Sequence, residues 1–290
     1  MRRKLILAVF SVIAVLAIAV SPVAAITDNW VEDFDHPFVG LIVFYNADGE
    51  FIGRCSGSLL DPYNFLTAGH CVDGAETAII YFQQDAGVNY DPETQLDPVT
   101  GYPEYCAEGT LGVTCATSDE LYNYGFDNFA GFPNTHDVGL VVLDQAISLP
   151  EYGELPGAGT LDSLATSRGQ NDTIFTVSGY GLTYKNEEHT GKPNESYRER
   201  LMAFSTLVNL NSAYNAGFNV QTQGNGSGRG GTCNGDSGGP VFLGDEDSNL
   251  IVAVTSFGLN ELCRGTDFSY RIDQADVLTW LAEHMYDPEE

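Results

Sequence analysis

The sequence has few basic residues. Only 12 Lys and Arg stand against 40 Asp and Glu in 290 residues, which gives a formal net charge of −28. A surface with this balance repels nucleic acid and anionic lipid, so both are excluded as partners. We interpret the acidity as an adaptation of solubility to the surrounding medium, rather than as a site for a basic partner.

Closely spaced metal ligands are also absent from the sequence. Its cysteines and histidines contain no C-x-x-C or H-x-x-x-H pattern of the kind that binds structural zinc. The six cysteines are therefore expected to form disulfides if the chain is exported. We predict that the protein needs no cofactor. Calcium is the one metal ion considered, and it is discussed below.

The first 25 residues contain the three parts of a secretory signal peptide. The basic segment Met1–Lys4 precedes an unbroken apolar run, Leu5–Val20, and the small residues of Ser21–Ala25 follow. Cleavage after Ala25 would leave Ile26 at the N-terminus. It would remove three basic residues and no acid, which changes the net charge to −31. The alternative is a retained membrane anchor, because the apolar run approaches the length that spans a bilayer.

Three short segments carry reactive side chains. In chain order they read TAGHC, which contains His70, HDVGLVVL, which contains Asp137, and CNGDSGGP, which contains Ser237. A serine among small residues, where the backbone can turn sharply, is suited to nucleophilic attack. It needs a base and a carboxylate that orients the base, and the two upstream segments supply them. The three segments therefore predict a Ser/His/Asp arrangement.

These segments, in this order, resemble the signatures of the trypsin/chymotrypsin-like serine peptidases, from about Pro37 to the C-terminal helix. The resemblance points to a secreted member of prokaryotic type that is activated without a long propeptide. It implies an all-β fold of two packed six-stranded antiparallel β-barrels with a C-terminal helix. The barrels would occupy residues 26–148 and 160–290, and the pattern predicts the helix over Gln274–Met285 with Asp273 as its N-cap.

The resemblance also assigns chemical roles. Ser237 would attack the peptide carbonyl, His70 would act as general base, and Asp137 would orient the imidazole. The backbone N–H groups of Gly235 and Ser237 would form the oxyanion hole. The three disulfides that the resemblance implies are Cys55–Cys71, Cys233–Cys263 and, with them, Cys106–Cys115.

A further implied feature is activation by the N-terminus. In this family a freed aliphatic N-terminal residue pairs its ammonium group with the acid that precedes the nucleophile, and these residues are Ile26 and Asp236 in this sequence. We expect removal of residues 1–25 to produce this terminus directly. Thr27–Asn29 replaces the small, glycine-rich segment of the family, so a frayed acidic N-terminus is the alternative.

The substrate pocket carries weaker signals. The resemblance places Gly231 at the pocket floor, where it offers no charge, and places Ser256, Phe257 and Gly258 beside an extended substrate. Aligning Phe268–Ile272 with the closing strand of the family would place Asp267 on the pocket wall. We expect a preference for large apolar or mixed side chains. The alternatives are a preference for basic residues through Asp267, and an Asp267 that points to water from a turn.

Residues 83–134 form a connection longer than is usual in this family, rich in acidic residues, Asn, Tyr, Gly and Pro. A loop of this length is usually functional or mobile, and this one could overhang the cleft. Calcium could bind to Asp85, Asp91, Glu93 and Asp97, but these acids show no ordered ligand spacing. A solvated loop is the preferred interpretation.

The predicted function is that of a secreted, monomeric serine endopeptidase, which acts on protein or peptide substrates without a cofactor and without membrane association after signal removal. Two alternatives use the same fold, and fold alone does not decide between them. One is a non-catalytic binding module, which would ordinarily lack a triad residue. The other is a processing enzyme for one partner, with selectivity set by residues 83–134.

Overall fold

Within the part of the chain that the structure describes, strands form two sheets of seven strands each. The computed structural model describes residues 26–107, 109–166, 173–183, 198–226, 228–259 and 263–288, so the predicted signal peptide in residues 1–25 lies outside it. In chain order the strands are β1 (Val31–Glu32), β2 (Val39–Tyr45), β3 (Phe51–Leu59), β4 (Asn64–Thr67), β5 (Thr77–Tyr81), β6 (Cys115–Ser118), β7 (Glu120–Asn123), β8 (Gly139–Val142), β9 (Ile174–Gly179), β10 (Leu201–Asn209), β11 (Asn219–Gln223), β12 (Pro240–Leu243), β13 (Ile251–Gly258) and β14 (Thr266–Arg271). The helices are α1 (Gly69–Val72), a 3-10 helix (Asp162–Thr166) and α2 (Ala275–His284). No described helix has the length and apolar character needed to cross a membrane.

The first sheet curls into a barrel around the buried apolar residues of its strands. Its strand order is β6-β5-β2-β3-β4-β8-β7, and every pairing is antiparallel. Asp119 alone separates β6 from β7, while β6 pairs with β5 and β7 pairs with β8. This nearly continuous strand therefore joins the two edges of the sheet and closes the barrel.

The second barrel closes by a direct pairing of β9 with β10. Six strands follow the order β10-β11-β14-β13-β12-β9, and β1 adds to β10 as the seventh, with Val31 opposite Met202. The predicted all-β fold of two antiparallel barrels is confirmed. The sheets have seven strands rather than the predicted six, because a two-residue strand and a one-residue break at Asp119 leave no periodic pattern in the sequence.

The predicted insertion is not a single loop, because it contains β6 and β7. The parts outside the barrel are two shorter segments, residues 82–114 and residues 124–138. The disulfide Cys106–Cys115 ties the first segment to the barrel, and the Tyr81 hydroxyl donates a hydrogen bond of 2.9 Å to the carbonyl oxygen of Pro103. Segment 82–114 is therefore braced against the barrel.

Helix α2 packs its apolar face against the core, as predicted, with Val277 and Leu281 fully buried. Asp273 does not cap it. The Asp273 carboxylate instead accepts hydrogen bonds of 2.8 Å from Nε of Arg271 and from the N–H of Leu161. Because a buried guanidinium needs a carboxylate partner, Asp273 pairs with Arg271 instead of capping α2.

A buried polar cluster joins the N-terminal segment to both barrels. Nδ1 of His36 lies 2.9 Å from the carboxylate of Asp33, and the Ser178 hydroxyl of β9 also donates to that carboxylate. Arg200 donates to the main-chain oxygens of Asp33, at 3.0 Å, and of Val39, at 3.1 Å. Burial alone would raise the pKa of Asp33, but its interactions with His36 and the charge of Arg200 outweigh burial and lower the pKa.

Replacing Asp33 by Asn should lower the free energy of unfolding by about 3 kcal/mol at neutral pH, because it removes one partner from a buried charged cluster. A carboxyl with a depressed pKa stabilises the fold fully above its unfolded pKa, and this stabilisation is lost as the pH falls through the folded pKa. The difference between variant and parent should therefore shrink below about pH 4.

Urea unfolding in a Ser237→Ala background, which prevents self-digestion, measures this difference across pH. The matched control is Asp35→Asn, since Asp35 is exposed. Equal stability of the two variants at every pH would contradict the role of the cluster.

Candidate active site

The three predicted triad residues come from three separate elements. His70 lies in α1, Asp137 precedes β8, and Ser237 lies in the turn before β12. Asp137 is fully buried; its carboxylate accepts the main-chain N–H of His70 at 2.8 Å, and it lies 2.9 Å from Nδ1 of the same residue. The Ser256 hydroxyl donates to it as well. With Nδ1 held in this way, Nε2 is the ring nitrogen left to act on a substrate.

The turn that carries Ser237 fits closely against the corner between β4 and α1. Gly238 adopts φ +77°, and a Cβ there would lie 2.1 Å from Oγ1 of Thr67 and 2.6 Å from the main-chain nitrogen of Ala68. Only glycine fits this position. Ser237 is therefore held beside the corner that carries His70, where it is partly exposed and lines a cavity.

Ser56 of β3 holds the main chain around the candidate nucleophile. Its N–H donates to the carbonyl oxygen of Ser237 at 2.8 Å, and its hydroxyl donates to the carbonyl oxygen of Gly235 at 2.9 Å. The same hydroxyl accepts the N–H of Tyr180 at 2.9 Å. Among the described residues, the N–H groups of Gly235 and Ser237 have no acceptor. Both donors are therefore available to a developing oxyanion.

Asp236, which lies between these two residues, is fully buried. It accepts the N–H groups of Gly181 at 2.8 Å and of Cys233 at 2.9 Å, and the main-chain N–H of Ile26 also donates to it. Burial raises the pKa of Asp236 to about 7, although these N–H groups and the charge of Arg54 oppose the rise. The structure thus brings the predicted activation pair together.

Residues 26–29 pack into the second barrel and are not frayed. Ile26 is fully buried, and Thr27 and Gly231 exchange two main-chain hydrogen bonds of 2.8 and 3.0 Å. The Asn29 side chain donates to the carbonyl oxygens of Gly226, at 2.8 Å, and of Arg229, at 2.7 Å. The residues that depart from the family pattern therefore brace the segment that leads to the nucleophile.

The six cysteines form the three disulfides that the resemblance implies, Cys55–Cys71, Cys106–Cys115 and Cys233–Cys263. The first joins β3 to α1, and a ring nitrogen of His70 lies within 4.8 Å of both of its sulfur atoms. This disulfide therefore limits the movement of the imidazole.

A cavity of about 320 Å³ opens beside Ser237. Ser256, Phe257 and Gly258, which the resemblance places beside a substrate, line it, and so does Asp267. Gly231, predicted at the floor, lies behind the Asp267 carboxylate: a Cβ on Gly231 would be 2.4 Å from Oδ2 of Asp267. The absence of a side chain at Gly231 therefore makes room for a carboxylate that arrives from another strand.

Asp267 is buried within β14, where it lies opposite Gly258 of β13. It is not a turn residue that points to water. Its Oδ2 accepts the N–H of Thr232 at 3.0 Å. Burial, together with the nearby charge of Asp236, raises the pKa of Asp267 to about 7. The cavity thus contains a carboxyl group that changes its charge near neutral pH.

An aromatic surface borders the cavity, and no motif in the sequence indicates it. Phe129 and Phe132 pack on Phe257, with ring centres 5.6 and 5.9 Å apart, and Phe126 lies 5.7 Å from the His70 ring. Phe129 and Phe132 remain 39% and 40% exposed. We call these four phenylalanines the aromatic shelf. The only signal for it is the three-residue spacing of phenylalanines in a stretch interpreted as a solvated loop.

The acids considered as calcium ligands support local turns. Asp85, Asp91 and Asp97 each accept the N–H of the residue two positions later, at 2.8 to 3.0 Å. Among the described residues, the one close group of potential metal ligands contains His70 and the two cysteines of the first disulfide. Those sulfur atoms are bonded to each other, so the group is not a metal site.

Known proteins resemble this chain in sequence. It matches the family described as Trypsin over residues 36–281. It is 27% identical to serine protease 7 of Drosophila melanogaster over 88% of this chain, and the match spans 63% of that relative. Brachyurin of Leptuca pugilator is 26% identical over 72% of this chain and 77% of its own length. Human chymotrypsin-like elastase family member 3B is 27% identical over 78% of this chain and 77% of its own length.

Solved structures share the fold. The structure titled HL collagenase superimposes with a TM-score of 0.61 at 20% identity, over 89% of this chain and 99% of that chain. Human heparin binding protein gives a TM-score of 0.58 at 19% identity, over 88% of this chain and 94% of that chain. At these identities the likeness shows the two-barrel architecture alone.

Replacing Ser56 by Ala should lower the free energy of unfolding by about 1–3 kcal/mol, because it leaves a carbonyl oxygen and an N–H without their side-chain partner. It should also loosen the Gly235 main chain. Urea unfolding in the Ser237→Ala background measures the loss.

The matched control is Ser58→Ala on the same strand, because the buried Ser58 hydroxyl has no partner among the described residues. Losing that hydroxyl should cost less. A larger loss for Ser58→Ala than for Ser56→Ala would contradict the assigned hydrogen bonds.

Proposed function

The chain belongs to the trypsin family of serine proteases, and from that premise we propose a secreted endopeptidase whose catalytic triad is Ser237, His70 and Asp137. The observation that carries the proposal is the contact of 2.9 Å between Nδ1 of His70 and the buried Asp137 carboxylate. A histidine oriented in this way presents Nε2 as a general base. The signal-peptide pattern and three disulfides support secretion into an oxidising compartment.

In the proposed reaction, Oγ of Ser237 attacks the carbonyl carbon while Nε2 of His70 takes its proton, and Asp137 stabilises the imidazolium. The oxyanion forms against the N–H groups of Gly235 and Ser237. His70 then gives the proton to the leaving amine. Water, activated by His70, hydrolyses the acyl-enzyme. Each step uses groups of the chain itself, so the proposed reaction needs no cofactor.

An extended peptide substrate would lie along the end of β13. Main-chain groups of Ser256 and Gly258 would pair with it as with an added strand, and the side chain before the scissile bond would enter the cavity. The aromatic shelf, which includes Phe257, would contact substrate residues that lie further before the scissile bond. Exposed aromatic rings provide apolar contact area at low conformational cost.

The cavity supports a mixed specificity. It has room for a large side chain, about 320 Å³, and Asp267 is one of the residues that line it. A neutral carboxyl tolerates apolar side chains, whereas a carboxylate attracts lysine or arginine. Because burial raises the pKa of Asp267 to about 7, the preference should move toward basic residues as the pH rises through neutrality.

Signal removal would also activate the enzyme. The main-chain N–H of Ile26 already donates to Asp236. Cleavage after Ala25 would convert this nitrogen into an ammonium group, whose charge compensates the buried carboxylate. The pair would hold the turn of Gly235 and Ser237 in the conformation that binds the oxyanion.

The chain beginning at Ile26 should therefore cleave a mixed peptide library, and its Ser237→Ala form should not. The same chain with Gly-Ser added before Ile26 should lose about 10²-fold in kcat/KM, the effect expected from a disordered oxyanion donor. Mass spectrometry of the cut sites and initial rates on one selected peptide measure both effects.

Equal rates for the extended and the Ile26 forms would contradict activation by the terminus. If the form that begins at Ile26 is folded but cleaves no peptide, the proposed endopeptidase activity is contradicted and a binding module is favoured. Cleavage of one natural partner only, with the library left intact, would favour a dedicated processing enzyme.

Replacing Asp267 by Asn should lower the preference for lysine over norleucine before the scissile bond by about tenfold at pH 8, because a charged hydrogen bond to the substrate is lost. The preference of the parent should rise between pH 6 and pH 8 as Asp267 ionises, and that of the variant should stay flat. Ratios of kcat/KM for two peptides that differ at this one position measure the preference.

The control is Asp245→Asn, which removes an exposed acid from a loop. It should keep the ratio and the pH dependence of the parent. A similar ratio in the Asp267→Asn and parent enzymes at pH 8 would show that Asp267 does not select the substrate.

A further inference from the structure

Arg54 lies at the edge of the candidate active site, on the strand that supports the nucleophile turn. It directly precedes Cys55 and Ser56 in β3. Its guanidinium rests against Gly235: a Cβ built on Gly235 would lie 1.9 Å from Nη1 of Arg54. The charge is close enough to lower the pKa of Asp236, against the larger opposing effect of burial.

Tyr102 holds this guanidinium in place. The Arg54 Cζ atom lies 5.6 Å from the centre of the Tyr102 ring, within the range of a cation–π contact. Tyr102 is itself buried in segment 82–114, which the disulfide at Cys106 and the Tyr81 hydroxyl fasten to the barrel. The segment therefore positions a fixed positive charge next to one of the two oxyanion donors.

The position of Arg54 relative to a substrate follows from the proposed reaction. The cavity that receives the residue before the bond is lined by residues 232–234, 237, 255–259, 263, 264, 266 and 267. Arg54 is not among the residues that line this cavity. It directly precedes Cys55, and the sulfur atoms of the Cys55–Cys71 disulfide are within 4.8 Å of a His70 ring nitrogen. Because His70 protonates the leaving amine, the chain that follows the bond departs on this side.

A guanidinium fixed in this place fits a carboxylate. Its planar fork of N–H groups pairs with carboxylate oxygens in a way that neutral side chains cannot match. Residues 26–290 contain only nine basic side chains among 40 acids, so few residues could supply such a positive charge. Arg264 is another of them, and it lines the cavity itself.

We propose that Arg54 selects substrates with an acidic residue at the first or second position after the scissile bond. This inference rests on the proposed function. Segment 82–114 then contributes to specificity, because it supplies the ring that orients the guanidinium. Recognition of the substrate residues after the scissile bond would be independent of the cavity and of Asp267.

Pairs of peptides that differ only in Glu or Gln at these two positions test the proposal. The enzyme beginning at Ile26 should cleave a Glu peptide about three- to fivefold faster in kcat/KM, as expected for a partly exposed ion pair. The ratio should fall with added salt. It should approach one in Arg54→Gln, stay above one in Arg54→Lys and decrease in Tyr102→Leu. Each variant is compared with itself on two peptides, so a general loss of activity cancels from the ratio.

Arg229→Gln removes a positive charge elsewhere and is the matched control; it should keep the parent ratio. The Gln peptide reports the protease alone. If the parent enzyme cleaves the Gln peptide as fast as both Glu peptides, the role of Arg54 is overturned and the proposed function stays intact. The role of Arg54 would also be overturned if Arg54→Gln kept the parent's ratio of kcat/KM for the Glu and Gln peptides. The same holds if kcat fell for both peptides and this ratio did not change, because a residue that only positions Gly235 behaves in that way. A folded parent that cleaves no peptide would overturn the proposed function and this inference with it.

Discussion

The Asp236 carboxylate is fully buried, and its demand for hydrogen-bond donors holds together parts of the chain that are far apart in sequence. A buried charge is costly unless it is compensated. The donors come from Gly181 after β9, from Cys233 at the disulfide, and from Ile26 at the start of the described chain. Asp236 thus fixes the turn in which Gly235 and Ser237 present their N–H groups. A free ammonium at Ile26 would strengthen the one donor that processing can change.

Asp33 and Asp137 are buried acids that follow the same rule, whereas Asp267 does not. The Asp33 carboxylate accepts from two main-chain N–H groups, His36 and Ser178, and that of Asp137 accepts from His70 and Ser256. The Asp267 carboxyl accepts only one hydrogen bond from the described residues, from the N–H of Thr232, and Asp267 lines a cavity. Carboxylates with several internal donors stabilise the fold. A buried carboxyl with spare acceptor capacity, exposed only to a cavity, is better suited to receive a ligand.

Local motifs predicted the parts of the site that depend on local geometry. The segments around His70, Asp137 and Ser237 each combine a reactive side chain with the small residues that its turn needs, so these residues could be identified before the fold was known. The position of Asp267 depends on the register of β13 and β14, which pairs it with Gly258, and no single stretch of sequence encodes that pairing. The aromatic shelf and the contact between Arg54 and Tyr102 depend on loop conformations fixed by long-range contacts. The sequence pattern therefore left both of them unassigned.

The insertion explains how this chain could acquire selectivity without disturbing catalysis. Strands β6 and β7 divide it and anchor it to the barrel, so segments 82–114 and 124–138 leave the sheet at separate points. One segment brings Tyr102 to Arg54 beside Gly235, and the other brings Phe129 and Phe132 against Phe257 at the cavity. Neither segment supplies a donor to Asp236. Segment 124–138 also contains Asp137 and Phe126, which contact His70. If the proposed function holds, substitutions of Tyr102, Phe129 and Phe132, which contact neither Asp137 nor Asp236, would therefore be those that change recognition while the hydrogen bonds of Asp137 and Asp236 stay in place.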